Sequence, residues 1–131
     1  MEHTAVVIDD SKVFRFRFAR TLEYHGIRIV GLADNGVLGA EQVNSLQPSL
    51  VILDYEMPVC NGLECARMIR TVNRDTKIIV ISASVTPDTA LPLMEAGVNS
   101  ILVKPVSDTK LAEALTRLNL TDKPMSQTAY A

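Results

Sequence analysis

Four apolar residues, Leu50 to Leu53, run straight into a carboxylate, Asp54, and Met57-Pro58 close the stretch three residues later. A continuous apolar run of this length reads as a strand buried on both faces. Proline ends it, having no N–H to give to a sheet ladder. Asp54 therefore stands where a buried strand emerges at the edge of its sheet, the edge on which open α/β sheets bind ligands. It is the candidate reacting group. Three other apolar runs also end in polar residues: Thr4 to Ile8 in Asp9-Asp10, Lys77 to Ile81 in Ser82, and Ile101 to Val103 in Lys104.

If one sheet edge gathers these ends, three carboxylates converge. At an effective dielectric of about 20, each close pair of like charges costs about 4 kcal/mol. The cluster stays ionised only with a cation in its midst. Oxygen ligands with an open, hydrated position suit Mg²⁺ (or Mn²⁺), commonly bound by one or two carboxylates and a phosphate oxygen. Lys104 is a compact point charge able to hold another phosphate oxygen or to pair with Asp54, and Ser82 can donate to a third. Such a set suits a carboxylate that attacks phosphorus and carries the phosphoryl group as an acyl phosphate.

The elements between these residues make the convergence an expectation of the fold. Ser11 can cap a helix to about His25, ended by Gly26, and Ile27 to Leu32 read as a second strand. Asn35 caps a helix with Val37, Leu38, Ala40, Val43 and Leu46 at helical spacing, stopped before Pro48. Asn61 and Glu64 resemble a capping box opening a third helix, expected to bury Leu63, Ala66, Met68 and Ile69 and to fade near Asn73. Thr86 and Pro87 suit the start of a fourth helix reaching Ala96. Pro92 lies inside it, so this helix is expected to be short, late-starting or kinked. Ser107 or Asp108 caps a fifth helix with Leu111, Ala114, Leu115 and Leu118 on one face.

Five alternations of strand and helix with short connections imply a parallel sheet covered by helices on both faces. The expected fold class is α/β, a doubly wound five-stranded sheet of order 2-1-3-4-5 with five helices, flavodoxin-like. Strands one and three are then neighbours, and Asp9, Asp10 and Asp54 meet at the switch point. The domain is expected over residues 1–120, with 121–131 a tail or the start of a linker.

Composition narrows the partners. The chain has 131 residues, 47% hydrophobic and 21% charged, which fits one globular domain with a sizeable core. A net charge of −2 argues against a general nucleic-acid surface. Cys60 and Cys65 match no metal-ligand spacing and read as reduced thiols. No run approaches a membrane span, and Met-Glu-His-Thr-Ala lacks the regions of a signal peptide, so a cytoplasmic location is expected.

Asp9-Asp10-Ser11, Asp54 with Met57-Pro58, Asn61-Gly62, Ser82-Ala83, Ala96-Gly97 and Lys104-Pro105 are similar, in type, order and spacing, to the receiver domain of two-component response regulators. The resemblance covers residues from about 4 to 119. It implies phosphorylation of Asp54 by a histidine kinase or histidine phosphotransfer protein. Asp9, Asp10, Asp54 and the backbone carbonyl of Glu56 would hold the metal. Ser82 would be the switch hydroxyl, with Ala83 beside it in the phosphoryl-binding set, and Lys104 would contact the phosphate. The implied product is a signalling switch, not an enzyme, whose helix-four and strand-five face controls an output protein or fused effector domain.

Three features depart from the family's pattern. Ile101 occupies the place, three before Lys104, where the family usually carries an aromatic residue. Glu56 stands two past Asp54, where many members are neutral; its side chain is expected at the mouth of the site, facing the phosphoryl group or approaching the metal through a water. Pro92 interrupts the fourth helix. Two other function classes are weaker. An aspartate-nucleophile phosphohydrolase resembling the haloacid-dehalogenase type would need a second acid for acid–base work and a cap domain. A flavodoxin-like cofactor binder would need glycines where Asp9-Asp10-Ser11-Lys12 stand. Finally, Phe16 falls on the face of the first helix opposite Phe14, Phe18 and Leu22, near Lys12 and Arg20, and is a candidate docking anchor for an acidic helical partner.

Overall fold

The computed structural model describes residues 2–121. Ten elements alternate: β1 (His3–Ile8), α1 (Lys12–Tyr24), β2 (Ile27–Ala33), α2 (Gly36–Leu46), β3 (Leu50–Asp54), α3 (Gly62–Val72), β4 (Lys77–Ser82), α4 (Pro87–Glu95), β5 (Ser100–Val103) and α5 (Asp108–Arg117). The strands form one parallel sheet in the order β2-β1-β3-β4-β5. The doubly wound architecture expected from the sequence is therefore present. Of the expected tail, only Thr121 lies within the described residues.

Period-two alternation sorts the strand side chains into two cores. Val6, Ile8, Val51, Leu53, Ile78 and Val80 point to one face, where Val43, Cys65, Ala66, Ile69 and Leu93 from α2, α3 and α4 cover them. Ala5, Val7, Leu50, Ile52, Ile79 and Ile81 point to the other, under Phe18 and Leu22 of α1 and Leu111, Ala114 and Leu115 of α5. Each such aliphatic burial contributes about 1.5–3 kcal/mol, so the sheet is fixed from both sides. All five residues of β3 are buried, Asp54 included. That is why it reads as an unbroken apolar run: a central strand with helices on both faces has no solvent side.

Caps set where the chain turns at the functional edge. The Ser11 side chain accepts from Phe14 N–H, Asn35 from Leu38 N–H and Ser107 from Lys110 N–H. Asn61 and Glu64 form the reciprocal capping box. Helix α3 buries Cys65, Ala66 and Ile69 fully, whereas Leu63 and Met68 only flank that core. The difference from the expected face arises because α3 also packs beside α2, where Cys65 meets Gly36.

Helix α4 starts at the expected place, capped by Thr86, whose N–H donates to Thr89 Oγ1 at 3.1 Å. At nine residues it is short, but it begins on time and runs through Pro92 without a break. Pro92 has no N–H for the Asp88 carbonyl. The following turn is held regardless: Leu93 is 1% exposed, and Ala96 N–H donates to the Pro92 carbonyl at 2.9 Å.

The β3–α3 loop is the tightest segment near the edge. A Cβ on Gly62 would stand 2.7 Å from Tyr55 Cα, so only glycine lets the chain fold back there. Val59 has φ +70, and Cys60 N–H donates to the Pro58 carbonyl at 2.7 Å. A β-branched residue in that region is strained, and nothing in the sequence pattern announces it.

Candidate functional site

The site lies at the carboxyl ends of β1, β3, β4 and β5. Register assembles it. Ile8 pairs with Leu53, so Asp9 and Asp54 emerge at one level, and Ser82 pairs with Val103, which brings Lys104 alongside. Two loop hydrogen bonds extend this order, Tyr55 N–H to the Ile81 carbonyl at 2.8 Å and Lys104 N–H to the Ser82 carbonyl at 2.8 Å. The Lys104–Pro105 peptide is cis.

Oxygens of Asp9, Asp10 and Asp54 all lie within 4.8 Å of one another. Asp9 and Asp54 are each 1% exposed, while Asp10 is open to solvent. Ser11 N–H donates to Asp9 Oδ1 at 2.8 Å, and Arg15 Nη1 donates to the Asp9 carbonyl at 2.6 Å. Lys104 Nζ stands 3.0 Å from Asp54 Oδ1. Among the described residues that buried oxygen meets no other donor. It is a negative atom held out of water with coordination to spare.

The charges bear on each other unequally. Burial pushes the Asp54 carboxyl up from 3.8 to about 6, against the pull of the Lys104 ammonium. Burial likewise raises Asp9, opposed by the Ser11 N–H and by Lys104. At Lys104 burial favours loss of the proton, but the Asp54 ion pair, with Asp9 and Glu56 behind it, outweighs burial and raises the ammonium. The asymmetry has a simple cause. The Asp54 side chain is 1% exposed and has lost its water, whereas that of Lys104, at 22%, keeps some.

The donor set fits a small hard divalent ion. Ligands on opposite sides of Mg²⁺ sit about 4.2 Å apart, given bonds of about 2.1 Å, comparable to the spread of the three carboxylates. The thiols do not belong to it: the Cys65 thiol donates to the Gly36 carbonyl, and burial pushes it up to about 12.

Two partners, Phe14 and Arg15, were not foreseen, nor were the groups that Glu56 holds. Phe14 places its ring 5.1 Å beneath Lys104 Nζ, so the apolar face of α1 also supports the ammonium by a cation–π contact. Arg15 braces the β1–α1 turn. Glu56 is near enough to the site for its charge to act on Lys104. Its carboxylate accepts from Ser82 Oγ at 2.6 Å and from Ala83 N–H at 2.9 Å. Ile101 is half-buried against the core of α3 and α4, as its place on β5 requires. Phe16 is 56% exposed, away from Phe14 and Phe18, with Lys12 Nζ 5.9 Å from its ring.

The chain matches the response regulator receiver domain over residues 5–116. It belongs to that family. Among curated relatives, protein CcdB of Bacillus subtilis is 34% identical over 113 residues, covering 86% of this chain and 94% of the relative. The chemotaxis protein CheY of Thermotoga maritima is 28% identical over 119 residues, 91% and 99% of the two chains. The probable transcriptional regulatory protein NarL of Mycobacterium tuberculosis is 31% identical, but this chain spans only 51% of its length. The solved signal receiver domain of that NarL superposes with a TM-score of 0.80 at 28% identity, covering 88% of this receiver and 94% of the other. This receiver thus spans nearly the whole of CcdB and of that CheY, and about half of NarL. None of its described helices is long and apolar enough to cross a membrane.

Proposed function

We propose that this receiver domain takes a phosphoryl group on Asp54 from a phosphohistidine, supplied by a histidine kinase or a histidine phosphotransfer protein in the cytoplasm. The observation carrying this reading is Asp54 itself: a buried carboxylate with one oxygen unshared except with Lys104, at a strand end that also gathers Asp9 and Asp10. A carboxylate oxygen of Asp54 attacks phosphorus in line. The P–N bond breaks, its electron pair stays on the imidazole nitrogen, and an acyl phosphate remains on Asp54. Lys104 holds one phosphoryl oxygen, Ser82 Oγ and Ala83 N–H hold others, and Asp9, Asp10, Asp54 and the Glu56 backbone carbonyl would hold Mg²⁺ or Mn²⁺. When bound, that ion neutralises charge building on the phosphoryl oxygens.

The domain acts stoichiometrically, as a switch rather than an enzyme. Its readout is the face of α4 and β5, where Leu91, Met94 and Val103 stand exposed to an output protein or a fused effector domain. The test is incubation with acetyl phosphate and Mg²⁺, followed by intact mass and peptide mapping. One phosphate per chain, on Asp54, is the expected result. Continuous release of inorganic phosphate over many turnovers would instead support an aspartate-nucleophile phosphohydrolase.

Phe16 supports the choice of a protein donor. It lines a groove of about 320 Å³ with Lys12, Arg15, Leu32, Asp34 and Leu38, next to the β1–α1 turn that carries Asp9 and Asp10. An aromatic anchor flanked by cations suits an acidic helical partner. Phe16→Ala is expected to slow labelling from the phosphorylated protein donor about tenfold or more, and to leave acetyl phosphate labelling alone. Equal slowing with both donors would mean that Phe16 serves the fold, not the docking.

A further inference from the structure

The Glu56 side chain is bound to the two groups that the proposed reading needs for the phosphate. One carboxylate oxygen takes the Ser82 hydroxyl at 2.6 Å and the other takes the Ala83 N–H at 2.9 Å. Ser82 Oγ has one proton to give, and the Ser84 carbonyl, 2.7 Å away, is its competing acceptor. The contact to an ionised acceptor is the stronger of the two. Glu56 is an exposed residue with room to turn outward, whereas Ser82 is 3% exposed and fixed at the end of β4. A planar carboxylate with two oxygens on a hydroxyl and a backbone amide presents to them much of what a phosphoryl group presents.

We infer that Glu56 is the resident occupant of the phosphoryl subsite: its carboxylate fills the Ser82 and Ala83 donors in the unphosphorylated domain and must vacate them for the phosphoryl group to enter. The inference rests on the reading of Asp54 as the acceptor. It assigns Glu56 a positioning role through Ser82 and Ala83, beyond the place at the mouth of the site that the sequence suggests. Two consequences follow from the geometry. Loading the site is an exchange of one anion for another, so Ser82 and Ala83 stay bonded in both states and the group that moves is the Glu56 side chain. Loading is also opposed twice over, by the two hydrogen bonds that must break and by a negative charge at the entrance of an already acidic site.

Three variants separate these contributions. Glu56→Gln removes the charge but keeps one acceptor oxygen. Glu56→Asp keeps the charge on a stem too short to span both donors. Glu56→Ala removes both. Timed acetyl phosphate labelling with Mg²⁺ is expected to speed up about tenfold or more in Glu56→Ala, with the other two in between. In metal-free protein, the Ala83 amide should exchange with deuterium markedly faster in Glu56→Ala than in wild type, because its partner has gone. In wild type, adding beryllofluoride and Mg²⁺ should shift the Glu56 carboxyl carbon resonance while the Ala83 amide stays protected. Equal labelling rates across all four proteins, with wild type still labelled on Asp54, would overturn the occupancy role and leave the acceptor reading standing. Failure of every protein to label would overturn both. A Glu56 carboxyl resonance unmoved by beryllofluoride would show that the carboxylate never leaves, and would end the inference by itself.

Discussion

Asp54→Asn is expected to make the metal-free domain more stable at neutral pH while abolishing phosphoryl acceptance. The two effects have one origin. Burial lifts the Asp54 carboxyl from 3.8 to about 6, so the folded chain holds this proton more tightly than the unfolded chain does. Stability is then fully present below about pH 4, falls as the pH rises from there, and is lost above about pH 6. The cost of the ionised group at pH 7.5 is about 3 kcal/mol, at about 1.4 kcal/mol per pKa unit. Asparagine carries no charge to bury and removes that cost.

Thermal unfolding in EDTA should therefore show Asp54→Asn about 2–3 kcal/mol more stable at pH 7.5, an increase on the order of 5–10 °C in Tm. Near pH 4 the two proteins should converge. Mg²⁺ cancels most of this difference. An ion at a hundred times its Kd adds about 2.7 kcal/mol to a protein that binds it, and the variant has lost a ligand. A variant less stable than wild type in EDTA at pH 7.5 would mean that Asp54 is held by attraction rather than against repulsion. Asp9 titrates in the same direction, since burial also raises it. The slope should thus persist, weakened, in the variant.

What was legible in the sequence follows from distance along the chain. Strand ends were readable because buried parallel strands are unbroken apolar runs, and each ends on the polar residue that matters. The strand order then placed Asp9, Asp10, Asp54, Ser82 and Lys104 together without any side-chain detail. Glu56 was readable as a residue at the mouth of the site, but its bonds were not, because its partners lie on another strand: Ser82 is 26 positions away and only the β3–β4 neighbourhood brings it near. Phe14 shows the same limit. Helical spacing gave its buried face, but not the lysine on a distant strand above it. Pro92 marks a different gap. Its local penalty was plain, and the anchoring of Leu93 that outweighs a break was not. Val59 left no signal at all, since a positive φ belongs to how the loop closes and not to the residue that bears it.

Lys104→Met is the sharpest test of how the site stays charged, because it alters one atom group and keeps the stem. Methionine retains the apolar contact with Phe14 but leaves Asp54 Oδ1 with no cationic neighbour at 3.0 Å. Removing one partner of a buried pair costs about 3–5 kcal/mol when the other must remain charged. Asp54 has an escape, since its carboxyl already sits at about 6 and losing the ammonium moves it higher still. The variant should therefore unfold near the wild-type temperature at pH 5, where the carboxyl is protonated, and clearly below it at pH 8. Labelling suffers twice: less of the nucleophile is ionised at pH 7, and the phosphoryl oxygens lose a fixed positive donor. Loss of one such donor slows related reactions by about a hundredfold or more. The pH profile separates the two causes. Raising the pH restores the carboxylate but not the donor, so acetyl phosphate labelling should climb between pH 7 and 9 and level off well below the wild-type rate. A full return to the wild-type rate at pH 9 would reduce Lys104 to a device for keeping Asp54 ionised. A wild-type rate already at pH 7 would remove it from the chemistry altogether.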